Sequence, residues 1–134
     1  MRITVVGGGR MGLPLACVLA KHGAHVTVAD IDAALAARIN AGDCPYEEPG
    51  LGPLMADLHA DKRLDATTDT AAATAGSEAV IVIVPAHLTP EREIDFHVLE
   101  AASRDIGRGL KPGTLVVYET TVSIGGTRRH LIPV

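Results

Sequence analysis

Short apolar runs alternate with longer segments of helical spacing along the whole chain. Ile3 to Val6 is apolar and stops at Gly7-Gly8-Gly9, which predicts a buried strand. Gly12 to His22 has helical spacing, with Leu15, Val18 and Leu19 on one side. Pro14 falls in its first turn, where a missing N–H does no harm, and Gly23 ends it. His25 to Ala29 predicts a second strand, closing at Asp30. Asp32 then caps a helix from Ala33 to about Ala41, terminated by Gly42. A Pro- and Glu-containing loop over 43–50 leads into a short helix, Leu51 to Ala60. Leu64 to Thr67 reads as a short strand, and Asp69 caps an Ala-rich helix through Ala75.

Ala79 to Val84 is the most apolar stretch and predicts a central strand buried on both faces. Pro85 to Glu93 reads as a loop, Asp95 to Leu110 as a helix and Thr114 to Tyr118 as a strand. The chain then runs through Glu119-Thr120-Thr121-Val122 and ends in a helix start after Gly125-Gly126. The order is β-α-β-α-α-β-α-β-α-β. That alternation predicts an α/β fold, a Rossmann-type doubly wound parallel sheet of about five strands, with helices on both faces.

Composition sharpens this picture. The 134 residues suit one domain, 1–134. Trp is absent and aromatics are only 2%, so the core must be Val, Ile, Leu and Ala. The net charge is −4, no Lys/Arg cluster stands out, and Arg128-Arg129 is only a pair. Nucleic acid and anionic membrane are therefore excluded as partners, because both rest on a basic surface. No run approaches the length of a membrane span, and nothing at the N-terminus resembles a signal peptide. Cytoplasmic localisation is the expectation. The two cysteines, Cys17 and Cys44, lack metal or CxxC spacing and read as reduced thiols. The six histidines show no metal-ligand pairing, so no metal is expected. His87 alone falls near the ligand-binding edge, where a structural role is favoured. Glu48 is expected to fix its loop by accepting backbone N–H bonds.

The candidate chemistry lies between the first strand and first helix. Gly7-x-Gly9-x-x-Gly12 is weak evidence alone, but its strand–turn–helix setting strengthens it. Gly7 permits the tight turn, Gly9 leaves room for a pyrophosphate, and Gly12 lets helix and strand pack closely. The helix N-terminus offers free N–H groups and a positive dipole end. Asp30 stands at the spacing expected for an acid that accepts hydrogen bonds from the adenosine ribose. Its charge repels a 2′-phosphate, which favours NAD over NADP. A ligand-free glycine turn and an FAD site are the alternatives to NAD.

Several motifs together resemble the UDP-glucose/GDP-mannose dehydrogenase family. They are Gly7-Gly8-Gly9-Arg10-Met11-Gly12-Leu13-Pro14-Leu15-Ala16, Asp30-Ile31-Asp32, Ile39-Asn40-Ala41-Gly42, Glu48-Pro49-Gly50-Leu51, Thr67-Thr68-Asp69, Val84-Pro85 and Glu119-Thr120-Thr121-Val122. The resemblance implies an NAD-dependent oxidoreductase that converts C6 of a nucleotide-linked sugar to a carboxylate. The Gly-Leu-Pro-Leu-Ala run leans towards the branch acting on UDP-N-acetylhexosamines. The implied cofactor residues are Gly7, Gly8, Gly9, Arg10, Met11, Gly12, Asp30, Val84, Pro85, Ala86, Thr120 and Thr121. Thr121 matches a threonine that helps place a catalytic water; its simpler reading is a hydroxyl satisfying backbone at a strand end.

Three departures stand out. Ala86-His87 replaces the usual Thr-Pro. Leu35 stands where a basic residue often follows the ribose acid, leaving Arg38 one turn on. The turn at 123–126 lacks the usual proline. The family's thiol nucleophile and sugar-binding domain have no counterpart here, since neither Cys17 nor Cys44 occupies the nucleophile's motif. The expectation is a fragment that binds NAD weakly, does not turn over, and self-associates as a homo-oligomer through an open sheet edge. A nucleotide sugar would be the partner of the full-length enzyme. Two other readings stand beside this one: a β-hydroxyacid dehydrogenase cofactor domain, which would lack the E-P-G-L and E-T-T-V segments, and a non-catalytic nucleotide-sensing module of the potassium-transport type.

Overall fold

In a computed structural model, which describes residues 1–134, the chain forms one five-stranded parallel sheet with helices on both faces. The elements in order are β1 (Arg2–Val6), α1 (Gly12–Lys21), β2 (His25–Ala29), α2 (Ala33–Asn40), α3 (Leu51–Ala60), β3 (Leu64–Thr67), α4 (Thr70–Ala75), β4 (Ala79–Val82), β5 (His87–Leu88), β6 (Ile94–Asp95), α5 (His97–Gly109) and β7 (Leu115–Tyr118). A single wide π-helical turn, Thr127–Leu131, follows. The sheet order is β3-β2-β1-β4-β7. Ile3 pairs with Val26 on one side of β1 and with Ala79 on the other.

Strand periodicity sorts the side chains into two cores. Ile3 and Val5 of β1 and Val26 and Val28 of β2 face α1–α3, where they meet Leu13, Cys17, Ile39 and Met55. Val6, Val80 and Val82 face the opposite way, against Leu99 and Ile106 of α5 and Leu131 of the terminal turn. The central strands are apolar on both sides, as parallel strands between two helical layers must be. Caps fix the helix starts: Asp32 accepts from the Ala34 and Leu35 amides, and Asp69 from the Ala72 amide. The Asn40 amide clamps α2 to β3 by bonding both the N–H and the carbonyl of Ala66, each at 2.8 Å.

Three expectations are corrected. The central strand ends at Val82, although the Ile83 amide still donates to Val6 O at 2.9 Å. The segment after it is not a plain loop but carries the antiparallel hairpin β5–β6, with His87 opposite Asp95. The last long helix starts at His97 instead of Asp95, because the Asp95 carboxylate accepts the His97 amide at 2.9 Å and so precedes the helix.

Cys17 is fully buried, and burial pushes its thiol up to about 11, with Cys44 a lesser cause. The unfolded chain releases this proton first as pH rises past 9, so the folded state holds more protons between 9 and 11. Stability contributed by the neutral thiol is therefore complete below that window and declines across it, by up to about 1.4 kcal/mol per pH unit. Urea midpoints of the parent chain are expected to fall faster from pH 8 to pH 10 than those of Cys17→Ala. Parallel slopes for the two proteins would refute this.

Candidate functional site

The strand order reverses between β1 and β4, because the chain winds outward to β3 and then crosses back. In open α/β sheets, ligands bind beyond the carboxyl ends of the strands at such a point. A cleft of about 450 Å³ lies there, walled by Val6 and Gly7 after β1, Asp30 and Ile31 after β2, and Val84 and Pro85 after β4. Val98 and Ala101 of α5 close its far side. A cavity of about 500 Å³ at the opposite edge of the sheet, near Arg2, His25 and Asp65, sits at the strand N-termini and lies away from the glycine turn.

The glycine turn has distinct demands at its three positions. Gly7 leaves β1 at φ +103°, a conformation that side chains disfavour. A Cβ at Gly12 would lie 1.8 Å from the Gly7 carbonyl oxygen. A Cβ at Gly9 would meet nothing within 4 Å, so the space above Gly9 is open to a ligand. No side chain caps α1, and the amides of Gly9, Arg10 and Met11 donate to no protein acceptor. Unsatisfied donors at the positive end of a ten-residue helix suit a pyrophosphate. Asp30 is held in place: Oδ2 accepts the Gly8 amide at 2.6 Å, and Oδ1 accepts the Asp32 amide at 2.9 Å. Each oxygen keeps lone-pair capacity for a further donor.

Most of the sequence-derived candidates meet here. Gly7, Gly9, Asp30, Val84 and Pro85 line the cleft. Gly8 is buried beneath it, while Arg10 and Met11 stand exposed at its rim. Ala86 follows the lining and packs on the α5 side. The threonine pair divides its roles. Thr120 donates its hydroxyl to Val84 O at 2.6 Å, tying the end of β7 to the cleft wall. Thr121 is exposed and its hydroxyl has no protein partner. The backbone-satisfying role weighed for Thr121 is thus the role of Thr120. Arg38 does not turn towards Asp30; it pairs with Asp43 at 2.6 Å and donates to Cys44 O at 3.1 Å. His87 lies exposed on the hairpin, outside the cleft lining.

Tyr46 was not legible as a site residue. Its hydroxyl donates to Gly8 O at 3.0 Å, so the 43–50 loop straps the glycine turn. Burial, and then the charge of Asp30, push the Tyr46 phenol above the ordinary tyrosine range. The Arg10 guanidinium sits 5.5 Å from the Tyr46 ring centroid and 3.8 Å from Glu48 Oε1. Glu48 therefore faces Arg10, and its carboxylate accepts none of the expected backbone N–H bonds. The only sequence signal for this cluster was the position of Tyr46 just before Glu48-Pro49.

An open glycine cradle, free helix amides and an anchored acid after β2 define a dinucleotide-binding domain. The family described as UDP-glucose/GDP-mannose dehydrogenase family, NAD binding domain, matches residues 1–134, and the chain belongs to it. Its cofactor is NAD. The chain is 36% identical over 129 residues to a UDP-glucose 6-dehydrogenase of Rhizobium meliloti, covering 93% of this chain and 29% of that protein. It is 34% identical over 139 residues to the GDP-mannose 6-dehydrogenase of Azotobacter vinelandii, covering 100% of this chain and 31% of the other. Among solved structures, a ternary complex of GDP-mannose dehydrogenase from Pseudomonas aeruginosa superposes with a TM-score of 0.92 at 29% identity, over 99% of this chain and 31% of that one. The UDP-N-acetyl-mannosamine dehydrogenase of Staphylococcus aureus superposes at 0.91 and 28% identity, over 99% of this chain and 32% of that one. The chain thus spans 29–32% of the length of these relatives. The family match sets aside the β-hydroxyacid dehydrogenase and sensing-module readings. No helix is long and apolar enough to cross a membrane.

Proposed function

We propose that residues 1–134 are the cofactor domain of a cytoplasmic nucleotide-sugar 6-dehydrogenase, and that this chain alone binds NAD⁺ without turnover. The observation that carries the cofactor part is the cleft where the sheet order reverses, with Asp30 anchored on one wall and open space above Gly9. The sugar part rests on relatives named as UDP-glucose and GDP-mannose 6-dehydrogenases.

In this reading the amides of Gly9, Arg10 and Met11 hold the pyrophosphate and Asp30 holds the adenosine ribose. Val84, Pro85 and Ala86 flank the dinucleotide, and Thr120 keeps that wall in register. The free hydroxyl of Thr121 serves the nicotinamide end. Bound NAD⁺ supplies a hydride acceptor for the C6 alcohol. Carrying the oxidation on to a carboxylate calls for an activated thiolate beside the nicotinamide. Cys17 is sealed in the core with a raised pKa, and the Cys44 thiol bonds Tyr46 O at 3.3 Å; neither lines the cleft. The nucleophile and the sugar-binding surface therefore come from other domains of the full-length enzyme; later elements would cover the open sheet edge there, and that edge lets the isolated chain self-associate as a homo-oligomer.

Calorimetric titration with NAD⁺ and NADP⁺ tests the cofactor part, and NADH formation with UDP-glucose or GDP-mannose tests turnover. NAD⁺ is expected to bind at least about tenfold more tightly than NADP⁺, one charge-repulsion step of roughly 1.4 kcal/mol, with no NADH formed. A folded chain that ignores NAD⁺ would refute the cofactor role. Steady NADH production would refute the absence of turnover.

A further inference from the structure

The charges around the glycine turn do not favour an anion. Asp30 and Asp32 stand on one side and Glu48 on the other, while an NAD pyrophosphate brings two negative charges. Arg38 of α2 is already occupied by Asp43 and the Cys44 carbonyl. Arg10 remains. It is flanked by the unsatisfied amides of Gly9 and Met11, and its side chain is 73% exposed. Its contact with Glu48 is long, at 3.8 Å, between two exposed groups, which is a weak pair in water. The Tyr46 ring lies under the guanidinium and fixes its position without neutralising it. Tyr46 is itself fixed by its bond to Gly8 O.

We propose that the Arg10 side chain is the counter-charge for the dinucleotide pyrophosphate, and that Glu48 is an internal competitor that holds Arg10 until the pyrophosphate displaces it. The inference rests on the NAD-binding reading and adds two side chains to a site otherwise built from backbone amides. A guanidinium exchanges a loose carboxylate contact for a charge-assisted bond to phosphate oxygens. Tyr46 acts as a positioning residue: it packs against the core on one side and meets Arg10 and the turn on the other. Arg10 and Glu48 then have opposite effects on affinity, and the effect of Glu48 vanishes when Arg10 is gone.

The test uses the full chain and NAD⁺, with adenosine as a probe that carries the ribose and base but no pyrophosphate. Arg10→Gln is expected to weaken NAD⁺ about tenfold and to flatten its salt dependence. Glu48→Gln is expected to tighten NAD⁺ about threefold, the scale of one exposed ion pair. In the Arg10→Gln background, Glu48→Gln should change nothing. Adenosine affinity, followed by NMR titration, should be the same in all four proteins, which a purely structural role for either residue would not preserve. The inference is overturned if NAD⁺ binds the parent and Arg10→Gln equally, if Glu48→Gln weakens NAD⁺, or if adenosine falls in parallel. A folded parent that does not bind NAD⁺ defeats the cofactor reading itself and this inference with it.

Discussion

Gly12→Ala is expected to abolish the native fold or to leave it several kcal/mol less stable. The added methyl would stand 1.8 Å from the Gly7 carbonyl oxygen and 2.9 Å from its carbon, with Ile83 Cγ2 at 2.8 Å. Ile83 can change rotamer, but the Gly7 carbonyl cannot move alone. It belongs to the same residue whose amide donates to Ala29 O at 2.8 Å, so shifting it pulls on the β1–β2 ladder. Overpacking against rigid backbone costs more than the roughly 1–3 kcal/mol of an ordinary core insertion, and a domain has only about 5–15 kcal/mol in total. Gly9→Ala is the internal control. Nothing lies within 4 Å of its Cβ, so it should fold like the parent and lose NAD⁺ affinity instead, because its methyl enters the space left for the pyrophosphate. Urea melts followed by circular dichroism separate the two. A Gly12→Ala midpoint equal to that of the parent would show that α1 does not approach β1 as closely as described.

What the sequence revealed depended on burial and on local spacing. β4 was visible because a parallel strand buried on both faces is an uninterrupted apolar run, β1 and β2 because their mostly apolar residues stop at the glycine turn and at Asp30, and α2 and α4 because Asp32 and Asp69 sit immediately before them as caps. The β5–β6 hairpin was invisible for the converse reason. His87, Leu88 and Asp95 are exposed, and the turn is held by Thr89–Glu93 backbone bonds with Arg92 at φ 64°, so no apolar alternation marks it. The start of α5 was misplaced by two residues because Asp95, which ends β6 and accepts the His97 amide, resembles an acid of the first helical turn. The site followed the same division. Gly7, Gly9, Gly12 and Asp30 form one βαβ unit, and their spacing carries the chemistry. Tyr46 reaches Gly8 across 38 positions, and Arg10 reaches Glu48 from another loop; no local pattern encodes such contacts. Thr120 and Thr121 show the finest limit: adjacent, identical residues, of which only one finds the Val84 carbonyl.

Asp30→Ala is expected to lower NAD⁺ affinity by at least about 100-fold while leaving a folded chain. Hydrogen bonds to a charged group are worth roughly 1.5–3 kcal/mol each, and the ribose diol offers two donors to this carboxylate. The substitution also strips the acceptors from the Gly8 and Asp32 amides, now bonded at 2.6 Å and 2.9 Å. Freeing the Gly8 amide loosens the turn that carries the pyrophosphate donors, so the loss exceeds that of the ribose bonds alone. The cost to stability is smaller, about 1–3 kcal/mol for one buried donor left without a partner, because the Tyr46 bond to Gly8 O still holds the turn from the other side. The response to NADP⁺ separates charge from hydrogen bonding. The native carboxylate repels a 2′-phosphate, and Asp30→Ala removes that repulsion together with the ribose bonds. NADP⁺ affinity should therefore stay level or rise while NAD⁺ affinity falls, and their ratio should approach one. Asp30→Asn keeps an acceptor for the Gly8 amide but drops the charge, so it should close the ratio with a smaller loss of NAD⁺ affinity. If folded Asp30→Ala kept both the parent affinity and the parent preference, discrimination against the 2′-phosphate would have to come from another group at the rim, and Glu48, facing Arg10, would be the next carboxylate to replace.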